Sequence, residues 1–187
     1  MNILIIGGGG REHALAWKIA QSPRVHNVYV TPGNAGAALE PNVTNLGIGV
    51  EDIPELVRFA RGHDVALTLV GPEAPLVLGV VDAFQSAGLR CFGPTQAAAQ
   101  LEGSKTFSKD FLARHHIPTA DYRSFTELEP ALAYIQAKGA PIVVKADGLA
   151  AGKGVIVAQT VQEAGNAVQA MLRDNNFVRT HTREGRP

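Results

Sequence analysis

The opening residues, "NILIIGGGGREHALAWKIA", limit most sharply what this chain can fold into. The run "ILII" is apolar at every position, so both of its faces must be buried, and that is the state of an inner strand of a parallel sheet. It passes straight into four glycines, Gly7 to Gly10, and then into a helical pattern. The run "VALTLV" at 65–70 repeats the two-sided apolar character. Strands are expected near 2–6, 27–31, 64–70 and 90–92, and helices near 11–22, 52–62, 76–88 and 95–101. This alternation predicts an α/β fold: a Rossmann-like parallel sheet with helices on both faces. Ligands of such sheets sit at the carboxyl ends of the strands.

The loops at that edge are "GGGGREH", "TPGNAG" at 31–36, "GPEAPL" at 71–76 and "GPT" at 93–95. All use ordinary turn chemistry, and "GPT" offers little beyond it. A new pattern begins after "LEGSK". A helix near 104–115, with Ser104 placed to cap it, leads through "IPTADYRSF" to a helix near 126–138. Then "PIVVKADGLAAGKGVIVAQT" reads as strand, glycine-rich turn and strand, followed by a helix at 161–172. The final stretch, "RDNNFVRTHTREGRP", has four arginines and no periodicity and is expected to be disordered. We place a domain boundary near 102.

Composition narrows the possible partners. Seventeen basic residues balance seventeen acidic ones, so any anion site must be local, and nucleic acid is disfavoured as a partner. The single cysteine, Cys91, excludes an intramolecular disulfide and a multi-cysteine metal site. It reads as a small buried apolar residue. With no leader peptide or membrane span in view, a cytoplasmic protein is expected.

The first glycine turn does not match a dinucleotide loop. Where G-x-G-x-x-G needs its third glycine, Glu12 or His13 stands, and the second strand ends at Thr31 and Pro32 without a carboxylate for ribose hydroxyls. A nicotinamide-dependent reductase is therefore a poor alternative. What remains is a glycine turn at a helix N-terminus, which favours an anion such as phosphate. Arg11 either supplies the cation of such a site or pairs with Glu12 or another surface carboxylate. Glu73 either accepts hydrogen bonds from a ligand or caps the following helix.

The second glycine loop, "GLAAGKG" at 148–154, is not a Walker A loop. It has one residue too few between its glycines, ends in Gly154, and joins two strands. Its backbone N–H groups could still fold over a polyphosphate. Lys145 lies in an otherwise apolar strand and faces either a ligand or solvent, while Lys153 reads as a solvated loop residue.

Taken in order, "GGGGREHALAWK", "PGNAG", "VGPEAPL", "GVVDAF", "FGPT", "LEGSK", "KDFLARHHIPTA" and "PIVVKADGLAAGKGV" resemble the amino-terminal part of the glycinamide ribonucleotide synthetase family, over about residues 1–172. These are ATP-grasp ligases of purine synthesis. The resemblance implies that ATP converts the carboxylate of glycine to an acyl phosphate, which the amine of 5-phosphoribosylamine attacks. It implies a pre-ATP-grasp substrate domain at 1–102, a linking helix at 103–118, a partial ATP-grasp lid subdomain at 119–172 and a tail at 173–187. The implied substrate residues are Gly9, Gly10, Arg11, Glu12, Asn34, Pro72 and Glu73. The implied ATP residues are Lys105, Lys145, Gly148, Gly152, Lys153 and Gly154. Partners would be small molecules (5-phosphoribosylamine, glycine and ATP), and a monomer is favoured.

Family members are more than twice as long, and continue past the helix ending near Leu172 into an "EE" stretch at the adenine and a sheet that holds Mg2+ or Mn2+. None of those ligands is expected here, and we assign no catalytic or metal residue. A truncated, inactive piece of the ligase is the expectation, with a non-catalytic nucleotide or sugar-phosphate binding module as the alternative. His115 and His116 do not make a metal site, because adjacent helical residues diverge by about 100°; they are expected at the surface.

Overall fold

β1 (Asn2–Gly7) takes the centre of a five-stranded sheet of order β3-β2-β1-β4-β5, formed with β2 (Asn27–Pro32), β3 (Val43–Asn45), β4 (Val65–Val70) and β5 (Cys91–Phe92). All four pairings are parallel. The computed structural model describes residues 1–148 and 154–173. The chain divides into two units, Met1–Gly103 and Ser104–Pro187.

In the first unit the side chains of β1 alternate between two cores, as the period of two along a strand requires. Ile3 and Ile5 join Val28, Val30 and Ala16 of α1 (Gly10–Ala20). Leu4 and Ile6 join Leu56 and Ala60 of α2 (Ile53–Gly62) and Val80, Val81 and Phe84 of α4 (Val80–Ser86). The register Ile3↔Val28 and Ile5↔Val30 keeps the valines of β2 on the α1 side. On the other edge the pairing slips between Asn2 and Ile3, from Val65 to Leu67. That slip puts Val65 in the α2 core and Leu67 in the α1 core.

Three details differ from the sequence expectation. The single helix expected over 76–88 is two, α3 (Glu73–Val77) and α4, divided at Gly79, whose φ of 88° is a left-handed value that glycine adopts without strain. β3 and the one-turn 3₁₀ helix Ala37–Leu39 lie where no strand or helix was expected. With three residues, β3 is too short to carry a readable alternation. The unit closes with α5 (Gln96–Gly103).

The second unit starts with α6 (Lys105–Arg114), and Ser104 caps it as expected: its Oγ accepts from the N–H of Phe107 at 3.1 Å. After α7 (Leu128–Lys138), β6 (Ile142–Lys145) and β7 (Val155–Ala158) pair antiparallel, and α8 (Val161–Leu172) follows a capping box made by Thr160 and Glu163. One face of the hairpin carries Ile142, Val144 and Ala158 into a small core with Ala131, Ile135, Ala164 and Val168. The other carries Val143, Lys145, Val155 and Val157, all exposed. The expected disordered tail lies outside the described residues apart from Arg173.

Candidate functional site

The carboxyl edge of the parallel sheet brings together the loops after β1, β2 and β4. Helix α1 begins at Gly9, whose extended backbone (φ −86°, ψ 178°) serves as its N-cap, and Glu12 stands three residues into the helix. The Glu12 carboxylate turns back to accept from the N–H of Gly9 at 2.7 Å and from Nε of Arg11 at 2.8 Å. It is 3% exposed.

Its neighbours explain why glycines flank it. A Cβ on Gly7 would lie 2.5 Å from the Glu12 Cγ, and one on Gly71, after β4, 2.5 Å from its Cδ. In a dinucleotide loop the third glycine lets the helix approach the sheet. Here the helix carries a glutamate at that position, and the space comes from glycines on β1 and after β4. Burial on its own raises the pKa of Glu12, and the hydrogen bonds from Arg11 and Gly9 outweigh it, leaving the carboxyl below its ordinary value.

Asn34 ties the second loop to the first. Its Nδ2 donates to the carbonyls of Gly8 (3.1 Å) and Gly9 (3.2 Å), and its Oδ1 accepts from the N–H of Ala37 at 2.8 Å. Asn45 of β3 donates to the Asn34 carbonyl at 2.8 Å, and its amide lies against Gly33, which has a left-handed φ of 72°. His13 lies over Gly36, where a Cβ would fall 2.7 Å from the ring, and meets Glu40 through Nε2 at 2.9 Å.

The expected substrate residues therefore fall into two groups. Asn34 spends its side-chain polar atoms on the protein's own backbone, and Glu12 divides its carboxylate between the Gly9 N–H and the Arg11 side chain; both build the loops. Gly9, Gly10, Arg11 and Glu73 lie exposed at the edge, beside partly buried Pro72. The Arg11 side chain is 64% exposed although it pairs with Glu12, and among the described residues no acceptor takes the N–H groups of Gly10 or Arg11. Its hydrogen bond to Glu12 raises the pKa of Arg11, with a smaller contribution from Glu73. Glu73 makes no capping hydrogen bond; it occupies the first turn of α3, behind Pro72 as N-cap. This edge thus presents a cation, free N–H donors and a carboxylate, a set able to hold a phosphate through the first two and a hydroxyl or amine through the third.

Alongside it, Gly10, His13, Ala14, Trp17 and Glu40 line an open cleft of about 330 Å³. Trp17 is half exposed there. Sequence reasoning passed over His13 and Trp17, although "REHALAW" places both on the face that begins at Gly10, at helical spacings of three and seven. A larger cleft of about 680 Å³, in the second unit around His116, Thr119, Tyr122 and Tyr134, contains none of the expected site residues.

Of the expected nucleotide residues, Lys145 lies on the open face of the hairpin with Val143 and opposite Val155, so the valine that shares its face does not bury it. Lys105 opens α6 and its Nζ donates to the carbonyl of Gly148 at 2.6 Å. Gly148 has a left-handed φ of 82°, and Gly154 is buried at the start of β7. Gly152 and Lys153 lie outside the described residues. His115 and His116 are exposed, and among the described residues no group of three or more His, Cys, Asp or Glu side chains converges as metal ligands. Cys91 is half buried, and burial pushes its thiol up to about 11. At neutral pH it is an unreactive thiol.

Solved structures share the fold. The biotin carboxylase domain of the 2-oxoglutarate carboxylase of Hydrogenobacter thermophilus, crystallised with MgADP, ADP and bicarbonate, matches 95% of this chain and 42% of its own with a TM-score of 0.71. At 16% identity that likeness is one of fold alone. The phosphoribosylamine–glycine ligase of Thermotoga maritima matches 95% of this chain and 41% of its own with a TM-score of 0.73 and 27% identity.

Two family models then match in tandem: phosphoribosylglycinamide synthetase, N domain, over residues 1–102, and phosphoribosylglycinamide synthetase, ATP-grasp (A) domain, over 103–183. The chain belongs to the phosphoribosylglycinamide synthetase family. Phosphoribosylamine–glycine ligases of Vibrio cholerae and Pasteurella multocida are 71% and 70% identical to it over 177 residues, 95% of this chain. The chain spans 41% of the length of those relatives.

Proposed function

We propose that this chain forms the phosphoribosylamine-binding domain and part of the nucleotide-binding lid of a phosphoribosylamine–glycine ligase. Residues 1–102 form the substrate domain, 103–118 the linking helix and 119–172 the lid portion. In the complete reaction ATP transfers a phosphoryl group to the glycine carboxylate, and the amine of phosphoribosylamine displaces phosphate from the acyl phosphate to form the amide. Positioning and cations around the phosphoryl group carry most of such catalysis. Lys105 and Lys145 are the cations this chain offers, with Gly148, Gly152, Lys153 and Gly154 in the loop that would cover the phosphates.

The observation that carries this reading is the exposed Arg11 guanidinium beside the free N–H groups of Gly10 and Arg11, with Glu73 close enough to act on its charge. The 5-phosphate of the sugar fits the first group, and its hydroxyls or amine fit Glu73. The family's divalent cation finds no ligand cluster among the described residues, so no step through it is assigned to them. We take it to be a cytoplasmic monomer acting on small molecules, as the single cysteine suggests for the compartment; among the described residues no helix is long and apolar enough to cross a membrane.

Titration with ribose 5-phosphate tests the reading. A charge-assisted contact contributes about 1.5–3 kcal/mol, so Arg11→Ala should weaken binding roughly tenfold or more. Equal affinities would leave Arg11 as the surface partner of Glu12. A second reading is a sugar-phosphate binding module without catalysis, for which the exposed edge around Arg11 would suffice. An ADP-release assay with glycine, phosphoribosylamine and Mg2+ separates the two, since turnover by these 187 residues would exclude the binding module.

A further inference from the structure

The turn that follows β6 carries a carboxylate whose hydrogen bonds are unusually concentrated for an exposed side chain. Oδ1 of Asp147 accepts from the backbone N–H groups of Lys105 (2.6 Å), Gly148 (2.9 Å) and Thr106 (3.3 Å), and the Ser104 hydroxyl donates to Oδ2 at 3.0 Å. Lys105 and Thr106 are the first two residues of α6, so the carboxylate occupies the positive end of that ten-residue helix. Ser104 is engaged twice, since its Oγ donates to Asp147 and accepts from the N–H of Phe107.

Beside this cap the Lys105 ammonium donates to the carbonyl of Gly148, one residue beyond Asp147. A helix start and a loop start about forty residues apart in sequence are therefore tied by one carboxylate and one lysine. Holding the ends of so long a loop together in one geometry is entropically unfavourable unless specific bonds secure it.

Among the described residues Asp147 has no counter-ion at its carboxylate. Its partners among the described residues are donors at the N-terminus of α6 or at Gly148. Burial raises its pKa, and the backbone donors, Gly148 first, outweigh that and hold the carboxyl below its ordinary value.

We propose that Asp147 is a positioning residue: by capping α6 it fixes the Lys105 ammonium against Gly148 and so sets both the lysine and the mouth of the loop for a nucleotide phosphate. The part about nucleotide phosphate rests on the proposed role of Lys105. The coupling of Asp147 to Lys105 does not.

Competitive acylation of the 187-residue chain, read lysine by lysine by mass spectrometry, tests the coupling without a ligand. Lys109 is the internal reference, because it lies on the same helix but its Nζ is held by Thr119 (2.6 Å) and Ala120 (2.8 Å) and not by the Asp147 turn. Asp147→Ala should raise the reactivity of Lys105 relative to Lys109 about fivefold, as expected when a hydrogen bond worth about 1 kcal/mol is lost. Asp147→Asn, which keeps one acceptor oxygen, should restore most of the wild-type ratio. A ratio unchanged in both variants overturns the proposal, and so does a parallel rise of both lysines, which would report general loosening.

MgATP titration of the same proteins forms the second arm. An affinity about tenfold weaker in Asp147→Ala supports positioning for phosphate, and an unchanged affinity overturns it. If wild type binds no MgATP while the Lys105 ratio responds, the nucleotide reading of Lys105 fails and the coupling stands.

Discussion

Glu12 reaches the N-terminus of α1 from inside the same helix and is 3% exposed, whereas Asp147 reaches the N-terminus of α6 across 42 residues and stays exposed. Both carboxylates take N–H groups that a helix start leaves unpartnered. Their surroundings differ. Glu12 is wedged between Gly7 and Gly71 with Arg11 on its outer side, so the first glycine turn is part of the sheet's packing. Asp147 is held by hydrogen bonds in contact with water, so among the described residues the start of the second loop is tied to α6 through polar contacts. The first arrangement gives a rigid edge on which an exposed Arg11 can be presented. The second gives an anchorage that a competing anion can reach.

Several substitutions can break this contrast. The largest effect is expected for Glu12→Ala, which strips the N–H of Gly9 and leaves a gap against β1 and β4; a loss of about 2–4 kcal/mol in urea denaturation is expected. A loss below 1 kcal/mol would mean that the buried carboxylate does not hold the turn. Gly71→Ala attacks the same wedge from the other side by overpacking and should lose about 1–3 kcal/mol. Asp147→Ala removes a cap with solvent access and should cost about 0.5–2 kcal/mol, confined to the second unit. Hydrogen exchange at Lys105 and Thr106 would show the confinement, and equal acceleration in α1 would contradict it.

Acid sharpens the comparison further. Both carboxyls have folded pKa values below the ordinary ones, so their stabilisation is present above the unfolded values, about pH 4, and is lost as pH falls through the folded values. Between pH 5 and 2, Glu12→Gln should flatten the decline in stability measured by urea denaturation. A variant as steep as wild type would remove Glu12 from the acid response. The smallest change is expected for Arg11→Ala, whose exposed ion pair contributes about 0–1 kcal/mol to folding. Its effect should appear in ribose 5-phosphate binding rather than in denaturation.

The sheet and its glycine turn were legible because burial of both faces leaves apolar residues at successive positions, without a break in β1 and interrupted only by Thr68 in β4. β3 was not, since three residues cannot display a period, and the break at Gly79 was hidden inside an apolar stretch that continues through it. At the site, Arg11 could be placed at the edge but not distinguished from its pairing with Glu12, and the structure shows it paired and still exposed. The cap by Glu12 was readable in principle, because a glutamate three residues past the N-cap is a capping-box spacing with glycine in the place of serine. The partners of Asp147 lie more than forty residues back, and no local pattern points to them.

The chain has one tryptophan, and Trp17 lies on α1 in the cleft that also contains Gly10 and His13. Being half exposed, it senses the polarity and the quenching groups of that cleft. Its emission is therefore an unlabelled optical report on the first glycine turn, with no second indole to subtract. Because the one thiol is half buried and unreactive at neutral pH, a dye attached at an introduced cysteine could follow the second unit in the same cuvette.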